Sequence, residues 1–193
     1  ADLTFEISSN SFFQTNTEQA ERLLEIAIEG LKLTGRERVL DVYSGTGTFT
    51  LPVARKAGEV IGIESSAIAV RDAERNAERN GIQNARFWTG EAMEVLRDRL
   101  GLGSRDSSAP FERPDVHAVL VDPPRAGLHP GVVSRLIHLG TPRLVYVSCN
   151  PGTLGRDLAL LCESRYAVEW VQPVDMFPHT PHIECVVALR RTG

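Results

Sequence analysis

From residue 38 onward the chain repeats one pattern that leaves few folds open: a short apolar run, a helical stretch, then another apolar run. The runs are RVLDVY (38–43), EVIGIE (59–64), ARFW (85–88), VHAVLVD (116–122) and RLVYVS (143–148). Runs this short, rich in Val, Ile and Leu and bounded by Gly or Pro, read as buried strands. The stretches between them, Thr48–Lys56, Ala67–Asn80, Ala92–Leu100, Pro130–Gly140 and Thr153–Glu163, read as helices, with Gly58, Gly81 and Gly140 as punctuation. A helix between two strands carries the chain back to the starting edge, so the strands must pair in parallel. Two last runs, AVEWVQPV (167–174) and IECVVALRR (183–191), follow one another without a helix. They are expected to close the sheet as an antiparallel edge pair. The pattern therefore predicts an α/β fold: a Rossmann-like, mostly parallel seven-stranded sheet with helices on both faces.

Residues 38–193 form the main domain in this reading, and residues 1–37 a lead-in segment and helix. The helix is TEQAERLLEIAIEGLK (17–32), amphipathic, with Thr17 as its expected cap. GLGSRDSSAPFERPD (101–115) reads as a surface loop. A 193-residue chain that is 42% hydrophobic can bury one sizeable core. No stretch approaches the roughly 20 apolar residues that span a bilayer, and the opening ADLTFEISSN lacks the regions of a signal peptide. No membrane partner and a cytoplasmic location are expected, and the chain is taken for a monomer. Cys149, Cys162 and Cys185 are widely spaced with no CxxC pair, which supports neither a disulfide framework nor a zinc or iron–sulfur site. Net charge is −4, which excludes a uniformly basic surface for nucleic acid. Residues 122–193, however, hold 7 Lys or Arg against 6 Asp or Glu, so a polyanion would meet that half.

RVLDVYSGTGTFTLPVA places Gly45 and Gly47 after a strand and before a helix, where bare backbone lets a ligand approach closely. Glu64 ends the next strand, at the position where a carboxylate accepts from the ribose hydroxyls of an adenosine. The third glycine of a dinucleotide turn is replaced by Thr50, which favours S-adenosylmethionine over a nicotinamide cofactor. Glu91 follows the third strand and is a candidate acceptor for the adenine amino group; an acidic residue opening a helix is explained equally well by the macrodipole. Tyr43 and Ser44, on the same turn, are candidates for the methionine moiety, or else strand packing and turn formation.

The fourth strand ends in VLVDPPRAGLHP, where Asp122 before two prolines sits at the edge at which open α/β sheets bind ligands. The fifth ends in YVSCNPG, which puts Cys149 at the mouth of a strand. A thiolate beside a methyl donor suggests addition to C6 of a pyrimidine, which makes C5 nucleophilic. The C5 proton must then leave, and MFPHTPHIEC supplies Glu184 as base. Read singly, Cys149 is a small buried hydrophobe and Glu184 an edge-strand charge; together with a nucleoside cleft they point to chemistry.

In order and spacing, FFQTN (12–16), LDVYSGTGTFTL (40–51), DPPRAGLHP (122–130), YVSCNPGTLGRD (146–157) and DMFPHTPHIE (175–184) resemble the uracil-C5 RNA methyltransferases that make 5-methyluridine. The resemblance covers essentially the whole chain. It implies a class I methyltransferase fold, S-adenosylmethionine as cofactor, and RNA, transfer or ribosomal, as partner. It makes Cys149 the nucleophile and Glu184 the base. Gln14, Tyr43, Glu64 and Asp122 match positions that bind the cofactor or line the reaction centre, and Arg125 matches one that faces RNA. Members of this family usually carry an N-terminal RNA-binding barrel that this chain lacks, so it looks like the catalytic domain alone. The cysteine cluster of iron–sulfur relatives is absent too.

Competing readings are a cytosine-C5 enzyme, which would place a cysteine where Arg125 stands, an amino-group methyltransferase, and a non-catalytic cofactor- or RNA-binding module. Arg156 is read either as a phosphate contact or as a local pair with Asp157, and His179 and His182 as loop-shaping residues rather than metal ligands.

Overall fold

The apolar runs become strands because helices cover both faces of the sheet they form. In chain order the elements are α1 (Thr17–Leu31), β1 (Arg38–Val42), α2 (Thr50–Ala54), β2 (Glu59–Glu64), α3 (Ala67–Arg79), β3 (Ala85–Thr89), α4 (Ala92–Arg99), β4 (Ala118–Val121), α5 (Pro130–Leu139), β5 (Arg143–Ser148), α6 (Pro151–Ser164), β6 (Tyr166–Val174) and β7 (Glu184–Arg191). This computed structural model describes residues 3–6, 8, 16–101, 115–176, 180 and 183–193. No helix among them is long and apolar enough to cross a membrane.

The seven strands lie in the order β3-β2-β1-β4-β5-β7-β6. β1 pairs in parallel with β2 and β4, β2 with β3, and β4 with β5. β7 runs against both of its neighbours, β5 and β6, so the C-terminal antiparallel pair forms with β7 inside and β6 at the edge. From β1 the chain winds outward to β3, then returns to the other side of β1 as β4. That reversal opens a crevice at the carboxyl ends of β1 and β4, where ligands of such sheets bind.

Alternation along each strand divides the apolar side chains between two cores. Leu40, Val42, Val119, Val121, Tyr146 and Val187 pack with α4, α5 and α6. Val39, Ala118, Leu120, Val145, Val147 and Val186 pack with Leu23, Ile26, Ala27 and Leu31 of α1 and with Phe49 and Val53 about α2.

Several ends differ from the sequence reading. Thr17 does not cap α1; the Asn16 side chain does, accepting from Gln19 N at 3.2 Å while its amide donates to the Met176 carbonyl at 3.0 Å. α6 begins two residues early because Asn150 accepts from Gly152 N at 3.0 Å and Pro151 at the first position has no N–H to satisfy. β4 stops at Val121, which leaves Asp122 just beyond the ladder.

Of the described residues before α1, Thr4, Glu6 and Ser8 are bound to α3 side chains. Thr4 exchanges two backbone bonds with Asn80, Glu6 two with Asn76, and Ser8 donates its N–H and hydroxyl to Asp72. Partners four apart on a helix lie in one row, so three side chains act as a strand edge for residues 4, 6 and 8. Asn76 also donates to the Thr46 carbonyl at 3.3 Å, which ties this ladder to the glycine turn after β1.

Candidate active site

The two-residue period that sorts the cores also assembles the site. Val39, Ala118, Leu120, Val145, Val147 and Val186 face α1, so the same period places Asp41, Asp122, Cys149 and Glu184 on that face. β1, β4, β5 and β7 are consecutive in the sheet, and the four residues therefore form a row along its carboxyl edge. The last β5–β7 pair is Ser148 with Cys185; Cys149 is the next residue beyond β5 and Glu184 the first of β7, and the Glu184 charge bears on the thiol. Glu184 reaches this edge only because β7 is antiparallel, so that its first residue meets the end of β5.

The row is acidic and largely sealed. Burial raises the Glu184 carboxyl to about 7, with Arg125 acting in the opposite direction. Asp122 is pushed well above the carboxylate range, first by burial and then by the charges of Glu184 and Asp41. Asp41, 1% exposed, is raised to about 7 by burial, against the stabilising bond from Thr50 Oγ1 at 2.5 Å. The Cys149 thiol, half-buried, is held above its usual value by burial, then by Glu184 and Asp122, while Arg125 pulls it down. The thiol thus lies within reach of two carboxyls, Glu184 and Asp122, and of one guanidinium, Arg125.

Beside the row, the turn Tyr43–Gly47 is folded back on β2. Tyr43 N and Ser44 N both donate to the Ile63 carbonyl, at 2.9 and 3.0 Å. Gly47 has φ 89°, and a Cβ there would lie 3.2 Å from Leu51 Cγ; Gly45 has φ 54°, with open space where a Cβ would point. Gly45 N donates to Glu64 at 3.1 Å and Ser66 N to its other oxygen at 2.8 Å, which fixes the carboxylate and leaves it further acceptor sites. Among the described residues, Asp41 Oδ1 and Ser44 Oγ are buried with no hydrogen-bond partner. Unpaired buried polar atoms are costly, and two of them beside an open glycine turn fit a ligand bearing polar groups, such as the amino acid end of S-adenosylmethionine. Tyr43 holds a positive φ of 73°, and its hydroxyl is pushed up to about 12 by burial, then by Glu91 and Asp157. Glu91 occupies the N-cap position of α4 yet makes no capping bond, so its exposed carboxylate remains available.

Not every expected residue is brought in. Gln14, His179 and His182 lie outside the described residues. Arg156 is committed to Asp157 and to two loop carbonyls, which favours its reading as a local pair over a phosphate contact. Asp41 escaped the sequence reading, although a carboxylate inside the apolar run VLDV was a usable signal: a strand buried on both faces has little reason to carry one. Asp157 enters the sequence reading only as a local partner of Arg156, and nothing in the sequence signals its bonds to Leu128 N and Tyr146.

A family model for tRNA (uracil-5-)-methyltransferases matches residues 1–192. The chain belongs to that family. It is 48% identical over 187 residues to a protein of Bacteroides thetaiotaomicron named as an uncharacterized RNA methyltransferase, covering 97% of this chain and 39% of the relative. A similarly named protein of Caldanaerobacter subterraneus subsp. tengcongensis is 46% identical over 190 residues, covering 98% and 40%. The chain therefore spans about two fifths of the length of these relatives. Among solved structures, the Pyrococcus abyssi tRNA (uracil-54, C5)-methyltransferase in complex with S-adenosyl-L-homocysteine aligns with a TM-score of 0.79 at 40% identity, over 97% of this chain and 42% of that one. A Geobacter metallireducens precorrin-6y C5,15-methyltransferase aligns at TM-score 0.71 but only 12% identity, a likeness of fold alone. Family membership and topology together make the fold that of the class I methyltransferases.

Proposed function

We propose that the chain is the catalytic unit of an S-adenosylmethionine-dependent RNA methyltransferase that acts on C5 of uridine. The observation that carries this reading is Cys149 just past the last β5–β7 pair, under the charges of Glu184 at the start of β7 and Asp122 at the end of β4, with the glycine turn after β1, the strand beside β4. Gly45, Gly47, Tyr43 and Glu64 would hold the cofactor, with Gln14 and Glu91 as further contacts; when bound, the cofactor supplies an electrophilic methyl group. Cys149 Sγ adds as thiolate to uracil C6, and the ring electrons make C5 the nucleophile that takes the methyl. C5 then carries both a hydrogen and the methyl group. Glu184 takes that hydrogen as a proton, the C5–C6 double bond reforms, and the thiolate leaves. Asp122 would hydrogen-bond the ring, and Arg125, an exposed residue whose charge reaches the thiol, would meet the RNA backbone.

The test uses RNA carrying 5-fluorouridine, whose fluorine cannot leave as a cation. Wild-type protein with S-adenosylmethionine should form a denaturation-resistant adduct that retains the transferred methyl group. Cys149→Ala should form none. Methylation of normal RNA by Cys149→Ala at the wild-type rate would remove the thiol from the reaction, and methyl found on an exocyclic amine would favour the amino-group alternative.

A further inference from the structure

Under the loop that joins β4 to α5 lies a buried carboxylate for which the reaction above has no use. Asp157, fully enclosed in the second turn of α6, accepts from Leu128 N and from Tyr146 Oη, both at 2.7 Å, and from Arg156 Nε at 2.9 Å. Arg156 in turn donates to the carbonyls of Ala126 at 3.0 Å and Leu128 at 3.2 Å. Tyr146 belongs to the core on the opposite face from Cys149, so the loop is gripped from beneath the sheet edge. Gly127 sits over this pair with φ 77°, and a Cβ there would lie 2.7 Å from both Arg156 Nη2 and Asp157 Oδ2. Two residues earlier, the Arg125 carbonyl accepts from Asn150 Nδ2 at 3.0 Å and Thr153 Oγ1 at 3.3 Å. The loop is thus bonded at Arg125, Ala126 and Leu128 to the start of α6, and Cys149 immediately precedes the cap of that helix.

With the Arg156 side chain half exposed, solvent screens the pair and it adds little net stability. What it supplies here is one fixed register between the two loops that carry the reacting groups. We propose that Arg156 and Asp157 are positioning residues that lock residues 122–129 onto α6 and so present the Arg125 guanidinium to Cys149 Sγ. Without that cation, burial and then the carboxyls of Glu184 and Asp122 oppose ionisation of the thiol with no opposite charge to answer them. The inference rests on Cys149 being the nucleophile, so its principal test needs neither RNA nor cofactor.

The thiolate is the form that iodoacetamide alkylates, so the pH dependence of labelling at Cys149, resolved by peptide mass spectrometry, reports how readily it ionises. Arg125→Ala should move the labelling midpoint to higher pH, and Arg156→Ala should move it in the same direction. Arg125→Ala/Arg156→Ala should go no further than Arg125→Ala alone, since the second residue acts only through the first. Arg156→Lys, which reaches one carbonyl but not both, should keep part of the wild-type behaviour. In Arg156→Ala the rate of 5-fluorouridine adduct formation should fall about tenfold with S-adenosylhomocysteine affinity unchanged. Gly127→Ala pushes the loop off the pair without altering a charge and should shift the midpoint like Arg156→Ala. A wild-type midpoint in Arg156→Ala or in Arg125→Ala, or additive shifts in the double variant, would overturn the proposal. If labelling behaves as expected while wild-type protein forms no adduct, the reaction proposed above fails and the positioning role stands.

Discussion

Below about pH 7 the Glu184 carboxyl carries a proton, because burial costs its charged form more than Arg125 returns. A base must be ionised to act, so release of methylated RNA from the covalent adduct should accelerate with pH through about 7 and then level off. Rapid-quench single turnovers measure it; release independent of pH across that range would exclude Glu184 as the base. Glu184→Gln should still form the adduct with ordinary RNA but release it about 100-fold or more slowly, so that the covalent species accumulates on denaturing gels. Asp41, at the other end of the row, makes the same physics visible as stability. Its folded value, about 7 against 3.8 for a free carboxyl, means that its contribution is fully present below about pH 4 and is lost as pH rises through about 7. For a fully enclosed group the loss is on the order of 4 kcal/mol. Asp41→Asn should therefore flatten the fall in urea-unfolding stability over that interval, whereas a wild-type slope in this variant would locate the effect elsewhere.

At the level of elements, α3 does more than cross over from β2 to β3. Its Asn76, fully buried, serves the Glu6 backbone on one side and the Thr46 carbonyl in the glycine turn on the other. Asn76→Ala leaves these groups without partners and should cost about 2 kcal/mol of stability in urea titrations. It should also weaken S-adenosylhomocysteine binding, since the turn loses one of its supports. Unaltered affinity in a destabilised variant would confine Asn76 to the fold. None of this ladder was legible beforehand: its bonds join residues 64 to 76 apart, and Asn or Asp on a helix is ordinarily a solvated residue. The glycine turn was legible because its signal is local: a strand, two glycines and a helix within one short stretch. Cys149 was legible at the strand mouth for the same reason, and the β5–β7 register that brings Glu184 to that end was not, because register across an antiparallel pair depends on a connection that carries no periodic signal. The Arg156–Asp157 pair was visible as adjacent charges, but not the carbonyls 28 and 30 residues away that give it a use.

For the molecule as a whole, the sheet and its two helical layers follow from strand–helix alternation alone, while the place of α1 does not. The sequence reading set residues 1–37 apart as a lead-in, yet Leu23, Ile26, Ala27 and Leu31 of α1 share one core with Val39, Leu120, Val145, Val147 and Val186. An amphipathic helix announces that it will bury a face, not which sheet will receive it. Burying each large side chain of α1 is worth about 1.5–3 kcal/mol, and the strand residues beneath would be uncovered as well. Those losses together approach the roughly 5–15 kcal/mol that holds a whole domain folded. A chain beginning at residue 38 should therefore lose its cooperative urea transition and bind a hydrophobic dye, because the face that carries Asp41, Asp122, Cys149 and Glu184 has lost its cover. Adding residues 1–37 back as a separate peptide should restore part of the transition, since the missing contacts are packing contacts that need no covalent link. If the shortened chain instead unfolds cooperatively with wild-type stability, α1 is an accessory layer, and the acidic row at the carboxyl edge is held by the strands alone.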